Sequence, residues 1–448
     1  MKQNRPRIHG ARRRRTRIRR PGDPRPGRRA ALAITAVLLI VVTAPANSTG
    51  TTAAPTTLRA PALPGSGDGR PSCTLTPGED VQLSEGIPTG PGYSRSTGPV
   101  HALTLMIDFP DVRGQGTARQ RFEEFFPRTT RWFARSSYGR LDYRPATPVD
   151  RWLRMPRSFR SYGIERGSAF EPGYRRLVRD IARTADPLVD FRRYDLVNVL
   201  ITPNAGPPAA ETVLSVTFAG NLEAPVADGV RLANISFIYS RQDDGTGSFA
   251  TNGYRVLPHE NGHVFGLPDL YTADGGHKVG HWDVMSEDWG AGNDLLAWHK
   301  WKLGWLTPDQ VDCAARAGDS TYTLRPLGRP GGGTKLVFVP VSASAGYTVE
   351  VRTDEGNDES VCKPGVLISW VDARLDSGKG PITVMDSTPR SRGCTEEPNV
   401  HQGLSDATFT RGESLHDARN GIHITVTGQD GGGGRRIRVT RQASDDGR

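Results

Sequence analysis

The stretch His259-Glu-Asn-Gly-His-Val-Phe-Gly-Leu-Pro-Asp-Leu-Tyr271 places two histidines four residues apart, with a glutamate directly after the first. On a helix, residues i and i+4 lie on one face, so His259 and His263 can direct both imidazoles at one metal ion. Glu260 projects from a neighbouring position, where it can accept a proton from an attacking water without being a ligand. The alternative is a pair of surface histidines on an ordinary helix. Pro258 requires that the helix either begins nearby or bends just before the ligands.

A catalytic zinc ion needs three protein ligands and an open position for water, and the helix offers only two. Gly266 allows the chain to turn out of the helix, because glycine adopts left-handed backbone angles at little cost. The turned chain can then present Asp269 as the third ligand. Two imidazoles and one carboxylate suit Zn²⁺, although the same set also accepts other divalent ions.

A second motif, Gly280-His-Trp-Asp-Val-Met-Ser286, follows downstream. The glycine-turned zinc helix and this methionine-containing turn, residues 280–286 (the Met-turn), together resemble the metzincin group of zinc peptidases. Within that group, His-Glu-x-x-His-x-x-Gly-x-Pro-Asp-Leu-Tyr and Trp-Asp-Val-Met-Ser are similar to the immune inhibitor A family of secreted bacterial metallopeptidases. The resemblance covers residues 98–440, with specific motifs only around 259–289. It implies that Met285 forms an apolar floor beneath the metal and is not a ligand.

Further contacts around the proposed metal are predicted less specifically. Tyr271, His277 and His281 are candidates for the donor that stabilises the oxyanion or binds substrate. The resemblance also implies a strand that binds substrate backbone by strand addition, and residues 232–239 are the candidate. Calcium is a further candidate cofactor at Asp243 and Asp244, for which a solvated loop is the alternative.

The basic residues are concentrated at the amino terminus. The chain has 448 residues and a net charge of +10. Residues 1–29 contain 13 Lys or Arg and one Asp, a local charge of +12, which leaves the remainder at −2. Fifteen uncharged, mostly apolar residues follow (30–44), and Ala44-Pro45-Ala46 is a small-x-small pattern. This arrangement predicts a signal peptide, residues 1–46, cleaved near Ala46. A signal anchor is the alternative, although the apolar run is shorter than the ~20 residues that span a bilayer.

Residues 47–97 are rich in Ser, Thr, Pro and Gly, and they are interpreted as a low-complexity linker or a propeptide. The four cysteines allow three disulfide pairings. We favour Cys362 with Cys394, which leaves Cys73 with Cys313. The alternative for Cys73 is to cap the zinc in a latent form. No cysteine pair has the Cys-x-x-Cys spacing of a structural zinc site.

Alternating strands and helices precede the zinc helix, whereas short strands broken by Gly-rich turns follow it. We expect a strand at 101–108, helical spacing over 117–135, a helix at 173–185 and a strand at 194–202. Asn293 or Asp294 can cap a helix that Gly304 ends, with His299 as a structural residue on it. The pattern therefore predicts an α/β (α+β) domain at residues 98–306, and the resemblance implies that it is a metzincin-like zinc peptidase domain. An all-β sandwich-like C-terminal domain is predicted at residues 307–442.

These features predict a secreted zinc endopeptidase that acts on protein or peptide substrates, with Glu260 as general base. Three alternatives remain: a zinc amidase acting on cell-wall peptides, a non-catalytic secreted binding protein with a vestigial metal site, and a nucleic-acid binder that uses the arginine-rich leader. Cleavage near Ala46 would remove the basic residues, so we expect the mature form to bind no nucleic acid and to have no stable membrane span. Oligomeric state, cleavage specificity and the role of the C-terminal domain are left open by the sequence.

Overall fold

The computed structural model describes residues 73–164, 172–203, 205, 215–239, 253–272, 276–286, 292–396 and 400–443. Its α-helices over these residues are α1 (Ala118–Glu123), α2 (Arg128–Ser136), α3 (Phe159–Tyr162), α4 (Pro172–Ala185), α5 (Val256–Val264) and α6 (Ala297–Lys302). Short 3₁₀ turns lie at Phe191–Arg193, Gly253–Arg255, Gly280–Trp282, Pro308–Gln310 and Gln402–Leu404. No described helix has the length and apolar character needed to cross a membrane.

The first sheet contains strands β1 (Gly98–Asp108), β2 (Leu141–Ala146), β3 (Leu153–Arg154), β4 (Leu196–Ile201), β5 (Val216–Phe218) and β8 (Ile235–Ile238). Their order is β2-β1-β4-β8-β5, and β3 pairs with the end of β1. All pairings are parallel except that of β5 with β8. A separate two-stranded ribbon is formed by β6 (Val226–Ala227) and β7 (Val230–Arg231).

Both faces of this sheet are covered by helices, as expected of a mostly parallel sheet. Successive side chains of a strand point to opposite faces. On β1, Leu103, Leu105 and Ile107 pack in the apolar cluster that includes α4, whereas Ala102 and Met106 pack in the cluster that includes α5. The predicted strands at 101–108 and 194–202 and the helix at 173–185 are thereby confirmed as β1, β4 and α4.

The helical pattern predicted over 117–135 is divided into two helices. α1 ends at Glu123, and Pro127 is the residue that caps α2. Proline has no backbone N–H to donate within a helix, so one continuous helix across this position is disfavoured. The aromatic residues of the pattern still pack in the core: Phe125, Phe126, Trp132 and Phe133 are buried.

The C-terminal half consists of two antiparallel-rich sheets. Its strands are β9 (Val311–Cys313), β10 (Gly318–Leu324), β11 (Leu336–Pro340), β12 (Ala345–Arg352), β13 (Gly365–Asp372), β14 (Ile382–Met385), β15 (Ser414–Asp417), β16 (Ile422–Gln429) and β17 (Arg435–Arg441). One sheet has the order β14-β13-β12-β11-β9 and the other β10-β17-β16-β15. Side chains from both sheets share one apolar cluster, which includes Val349, Ile368, Ile424 and Ile437. The protein is thus a mixed α/β structure in which a helix-covered sheet precedes two packed β-sheets.

The two halves share a core across the predicted boundary at residue 306. Trp298 of α6 packs against Phe338 of β11, with ring centroids 5.0 Å apart. The main cluster that surrounds α5 also includes Leu367 and Val371 of β13. The described part of the C-terminal half therefore shares an apolar core with helix α5.

Residues 73–97 are packed into the fold, although their composition suggested a linker or propeptide. Leu75 and Ile87 are buried in the main cluster, and Glu85 has no exposed surface. Trp301 Nε1 donates a hydrogen bond to the Cys73 carbonyl (2.8 Å). Ser94 N donates to the carbonyl of Val264, the last residue of α5 (3.0 Å). The part of the predicted linker that follows residue 72 is therefore structural.

The favoured disulfide pairing is confirmed. Cys73 pairs with Cys313, with Cα atoms 5.6 Å apart, and Cys362 pairs with Cys394, with Cα atoms 5.8 Å apart. The first bond joins the N-terminal segment to β9 across 240 residues of sequence, and the second closes a loop within the C-terminal half.

The prediction that Asn293 or Asp294 caps the helix after the Met-turn is wrong. Helix α6 begins at Ala297, and its N-cap is Leu296, whose side chain makes no cap hydrogen bond. The Asp294 carboxylate is occupied by Lys300 Nζ (2.7 Å) and by the Ser136 hydroxyl. Ala297 N donates instead to Glu350 Oε2 on β12 (2.7 Å), so a residue distant in sequence performs the capping role. Gly304 ends the helix as predicted, with φ +70°.

Candidate metal centre

Helix α5 carries both predicted histidine ligands. It begins at Val256, directly after the 3₁₀ turn Gly253–Arg255, so Pro258 lies in its first turn and does not interrupt it. The rings of His259 and His263 lie on one face, with centroids 5.0 Å apart. The i, i+4 geometry expected of the motif is therefore present.

The chain leaves this helix at Gly266, which has φ +92°. Leu267 N donates to the Gly262 carbonyl (2.9 Å), a bond that satisfies one carbonyl of the last helical turn. A Cβ at position 266 would lie 2.4 Å from Thr89 Cγ2, so both the backbone angle and the space require glycine. The turn brings Asp269 back to the histidines, and its Oδ1 lies 3.2 Å from Nε2 of His259 and of His263.

The hydrogen bonds of the two histidines determine which nitrogen faces the centre. His259 Nδ1 lies 2.8 Å from the Val284 carbonyl, and His263 Nδ1 lies 2.8 Å from the Leu267 carbonyl. A carbonyl oxygen can only accept, so each Nδ1 carries a proton, and in the neutral imidazole each Nε2 then presents a lone pair. Such a carbonyl partner on the second nitrogen is typical of histidines that bind metals.

The three converging atoms fit a cation. Nε2 of both histidines and the Asp269 carboxylate lie within 4.8 Å of one another. With the histidine protons on Nδ1, Asp269 Oδ1 is buried without a hydrogen-bond donor. Burial alone would raise the pKa of Asp269, but the two imidazoles, in their charged form, hold it well below its usual range, and a bound cation would act in the same direction. Three lone pairs facing one point repel each other unless a cation lies between them, and two imidazoles with a carboxylate are a donor set that Zn²⁺ accepts.

Glu260 lies beside this cluster, but its carboxylate is hydrogen-bonded to a residue of the sheet. Its side chain is 4 % exposed, and Oε2 accepts a hydrogen bond from the Thr217 hydroxyl of β5 (2.7 Å). Burial raises the pKa of Glu260, an effect that the neighbouring imidazoles and Thr217 partly oppose. A buried carboxylate with an elevated pKa accepts a proton more readily at neutral pH than an exposed one does.

Asn261 fixes the helix to the sheet from the opposite face. Its Oδ1 accepts a hydrogen bond from the Tyr143 hydroxyl (2.7 Å), and its Nδ2 donates to Asn198 Oδ1 (2.9 Å) and lies 3.2 Å from Ser236 Oγ. All four groups are buried. Through this network, residues of β2, β4 and β8 fix the orientation of helix α5 relative to the sheet at the position between the two histidines.

Met285 lies directly beneath helix α5. It is fully buried, and a Cβ placed on Gly262 would lie 2.3 Å from Met285 Sδ. Leu270 N donates to the Met285 carbonyl (3.1 Å), which ties the turn to the segment that follows Asp269. Gly262, in the middle of a helix where glycine is otherwise unfavourable, leaves room for this thioether. Met285 is thus packed against helix α5, and its role as the floor beneath a metal ion stays a prediction.

The Met-turn is held by a buried carboxylate and imidazole. Asp283 Oδ1 accepts from Met285 N (2.8 Å), and Asp283 Oδ2 lies 2.7 Å from His299 Nδ1. The other nitrogen of His299 lies 3.0 Å from Glu85 Oε1, and all three side chains are fully buried. His299 is thus structural, as predicted, and joins α6, the Met-turn and the N-terminal segment. Burial disfavours the imidazolium, but the two carboxylates outweigh it and raise the pKa of His299 to about 10.

This arrangement predicts a specific pH dependence of stability. A folded-state pKa raised from 6.5 to about 10 means that the His299 charge stabilises the fold fully below pH 6.5. That contribution is lost as the pH rises through 10. We expect the free energy of unfolding, measured by urea titration between pH 7 and 10, to fall more steeply for the wild type than for His299→Gln. Parallel curves for the two proteins would contradict this assignment.

The three candidates for the oxyanion donor lie in different environments. Tyr271 stacks against His259, with ring centroids 6.5 Å apart. His277 is exposed and stacks on His401, with centroids 4.9 Å apart. His281 is buried against Trp282, and burial, together with the charge of Arg352, lowers its pKa to about 3. Tyr271 is therefore the candidate whose ring stacks on a proposed metal ligand, and the donor role of all three stays a prediction.

The predicted substrate-binding strand is wrong, and the predicted calcium site is not described by the structure. Residues 232–239 are not a substrate-binding edge, because β8 is paired with β4 on one side and β5 on the other. The edge strands of the described sheet are β2 and β5, and β5 is the one that lies next to β8. Asp243 and Asp244, the candidates for a calcium site, lie outside the described residues.

The site also contains residues that the sequence did not indicate. The Thr217 hydroxyl donates a hydrogen bond to the Glu260 carboxylate, and the Ser377 hydroxyl donates one to the Asp269 carboxylate. Each hydroxyl is distant in sequence from its partner. Isolated hydroxyl residues on a short strand and in a loop have no periodicity or spacing that would distinguish them. Asn261 was inside the motif, at a position that the pattern leaves open.

No protein-family model matches this chain, and no curated protein is similar enough to count as a match. The functional assignment therefore depends on the geometry described above.

Proposed function

We propose that this protein is a secreted zinc endopeptidase of the metzincin type, related to the immune inhibitor A family. The observation that carries the proposal is the cluster of His259, His263 and Asp269 with the buried carboxylate of Glu260 beside it. Export is supported by the leader pattern in residues 1–46 and by the two disulfides, which persist in oxidising compartments.

The chain's own residues perform distinct tasks in this proposal. His259, His263 and Asp269 would hold Zn²⁺, which lowers the pKa of a coordinated water to ~7 and polarises the scissile carbonyl. The Glu260 carboxylate accepts the proton of the attacking water and passes it to the leaving amine nitrogen. Burial of Glu260 favours its protonated form, so the carboxylate is suited to accept and then release a proton. Tyr271 is the retained candidate for the oxyanion donor.

The sheet edge favours an extended peptide as substrate. Of the two edge strands of the described sheet, β2 and β5, it is β5 that packs against helix α5. An extended chain can add to such an edge through main-chain hydrogen bonds. Thr217 at the centre of β5 contacts Glu260, so a peptide paired with this strand would lie near the base. This position supports protein or peptide substrates over a purely saccharide ligand.

Thr217 should affect turnover more than metal binding. Its hydroxyl holds Glu260 Oε2, so Thr217→Val removes the hydrogen bond while keeping the shape of the side chain. We expect kcat to fall by about 10–100-fold with zinc content unchanged, since loss of such supporting contacts costs that much activity. Thr217→Ser should recover most of the rate. Equal kcat values in Thr217→Val and the wild type would show that the hydroxyl does not position the base.

The proposed activity is tested by incubating the purified protein with casein and, separately, with peptidoglycan-derived peptides. We expect cleavage of casein at internal bonds, its loss after metal chelation and its return on addition of Zn²⁺. Cleavage of wall peptides alone would favour the amidase alternative, and cleavage of neither would favour the binding protein. A binding protein has no need of a general base, and the intact, positioned Glu260 argues against that alternative.

A further inference from the structure

The third proposed metal ligand is held by a loop of the C-terminal half. The loop, residues 373–381, joins β13 to β14. Within it, the Ser377 hydroxyl donates a hydrogen bond to Asp269 Oδ2 (2.8 Å), and it accepts one from Asp269 N (2.9 Å). Gly378 N donates to the Asp269 carbonyl oxygen (3.2 Å). One loop residue and its neighbour therefore contact the carboxylate, the amide and the carbonyl of Asp269.

These contacts determine which carboxylate oxygen faces the histidines. Asp269 lies beyond the end of α5, in a stretch without regular secondary structure, so no helix orients its side chain. Ser377 engages Oδ2, and Oδ1 is the oxygen that lies 3.2 Å from both imidazole nitrogens. Without the hydroxyl, rotation of the carboxylate is restrained only by its packing. The loss of an oriented ligand lowers metal affinity because the orientation must then be imposed on binding.

The loop itself is anchored on its far side. Asp376, the residue before Ser377, accepts hydrogen bonds from Leu83 N (2.9 Å) and Gln82 N (3.3 Å) of the N-terminal segment. Ser84 Oγ donates to the Ala373 carbonyl (2.6 Å). Thr272, three residues after Asp269, forms a β-bridge with Lys379. The loop is thus fixed between the N-terminal segment and the chain around Asp269, which makes it a rigid support.

We propose that Ser377 is a positioning residue for the metal, through which the C-terminal half orients the third ligand. The metal site is then completed only when the loop of the C-terminal sheet is in place against Asp269. This inference depends on the metal assignment within the proposed function, and it adds a role for the C-terminal half that the sequence left open.

The test is the affinity of the purified full-length protein for Zn²⁺ alone, measured by competition with a chromogenic chelator. We expect Ser377→Ala to bind Zn²⁺ about 10–100-fold more weakly than the wild type. Ser377→Thr keeps the hydroxyl and should bind as the wild type does. Ser84→Ala is the matched control, because it removes a hydroxyl that contacts the same loop without touching Asp269. The melting temperatures of the metal-free proteins verify that all variants are folded.

Three results would overturn the proposal: wild-type affinity in Ser377→Ala, an equal loss in Ser84→Ala, or a loss in Ser377→Thr as large as that in Ser377→Ala. Metal affinity is independent of turnover, so the two proposals can fail separately. A wild-type protein that binds Zn²⁺ but cleaves no peptide contradicts the endopeptidase proposal and leaves this one intact. A wild-type protein that cleaves peptides, together with unchanged Zn²⁺ affinity in Ser377→Ala, contradicts the positioning role of Ser377 and leaves the endopeptidase proposal intact.

Discussion

Replacing Glu260 by glutamine is expected to lower the rate of peptide hydrolysis by about 10²–10⁴-fold while one zinc ion per chain remains bound. The Glu260 carboxylate accepts a hydrogen bond from Thr217, and Glu260 is not one of the three residues that converge on the proposed metal position. Its charge is therefore not needed to hold the ion. Glutamine has nearly the same volume, and its carbonyl oxygen can still accept from Thr217. What it cannot do is accept the proton of the attacking water.

The measurement is kcat on casein or a quenched peptide, together with zinc content by mass spectrometry, for the wild type and Glu260→Gln. His263→Ala is the matched control from the same helix, because it should lose both zinc and activity. Retained hydrolysis in Glu260→Gln would exclude Glu260 as general base. Loss of zinc in Glu260→Gln would mean that Glu260 contributes to metal binding, contrary to the geometry.

The second large effect is expected on stability. Arg352 of β12 is fully buried and bidentate to Asp358, with Nε 2.9 Å from Oδ2. It also donates to Glu350 Oε1 (3.0 Å) and to the carbonyl of Trp282 beside the Met-turn (2.8 Å). Arg352→Met leaves two buried carboxylates without their cation. Removing one partner of a buried ion pair typically costs about 3–5 kcal/mol, so we expect a loss of that order in the free energy of unfolding.

The control for this variant is Arg329→Met. Arg329 makes a comparable bidentate contact with Glu355, but its side chain is 50 % exposed and that of Glu355 is 33 % exposed. Water and salt screen an exposed ion pair, so the loss of free energy of unfolding should be much smaller than that of Arg352→Met. Urea titrations of the three proteins at pH 7 provide the comparison. Similar losses of free energy of unfolding in both variants would show that the buried Arg352 ion pairs stabilise the fold no more than the exposed Arg329 pair does.

Local spacing explains why the centre of the site could be predicted from the sequence. His259 and His263 are related by one helical turn, and Gly266 permits only a few paths to Asp269, so all three ligands follow from fewer than a dozen residues. The buried strands β1 and β4 were recognisable because each contains apolar residues interrupted by only a few polar ones. The disulfides were also accessible to prediction, because four cysteines can pair in only three ways.

The supporting residues could not be predicted, because they depend on which distant segments meet. Ser377 lies 108 residues after Asp269, and Glu85 lies 214 residues before His299. Composition was also misleading for residues 73–97, where a few side chains such as Leu75 and Ile87 are buried within an otherwise polar, Pro- and Gly-rich sequence. The predicted helix cap was wrong for the same reason. The acceptor for Ala297 N is Glu350 on β12, which no local sequence pattern around Asn293 could indicate.

The most direct test of the central claim is the metal content of the purified wild-type protein, measured together with casein cleavage before chelation, after chelation and after addition of Zn²⁺. We expect one zinc ion per chain, loss of both metal and cleavage on chelation, and recovery of both with Zn²⁺. A wild-type protein that takes up no zinc, or that cleaves casein equally well without metal, would contradict the assignment of His259, His263 and Asp269 as the ligands of a catalytic zinc ion.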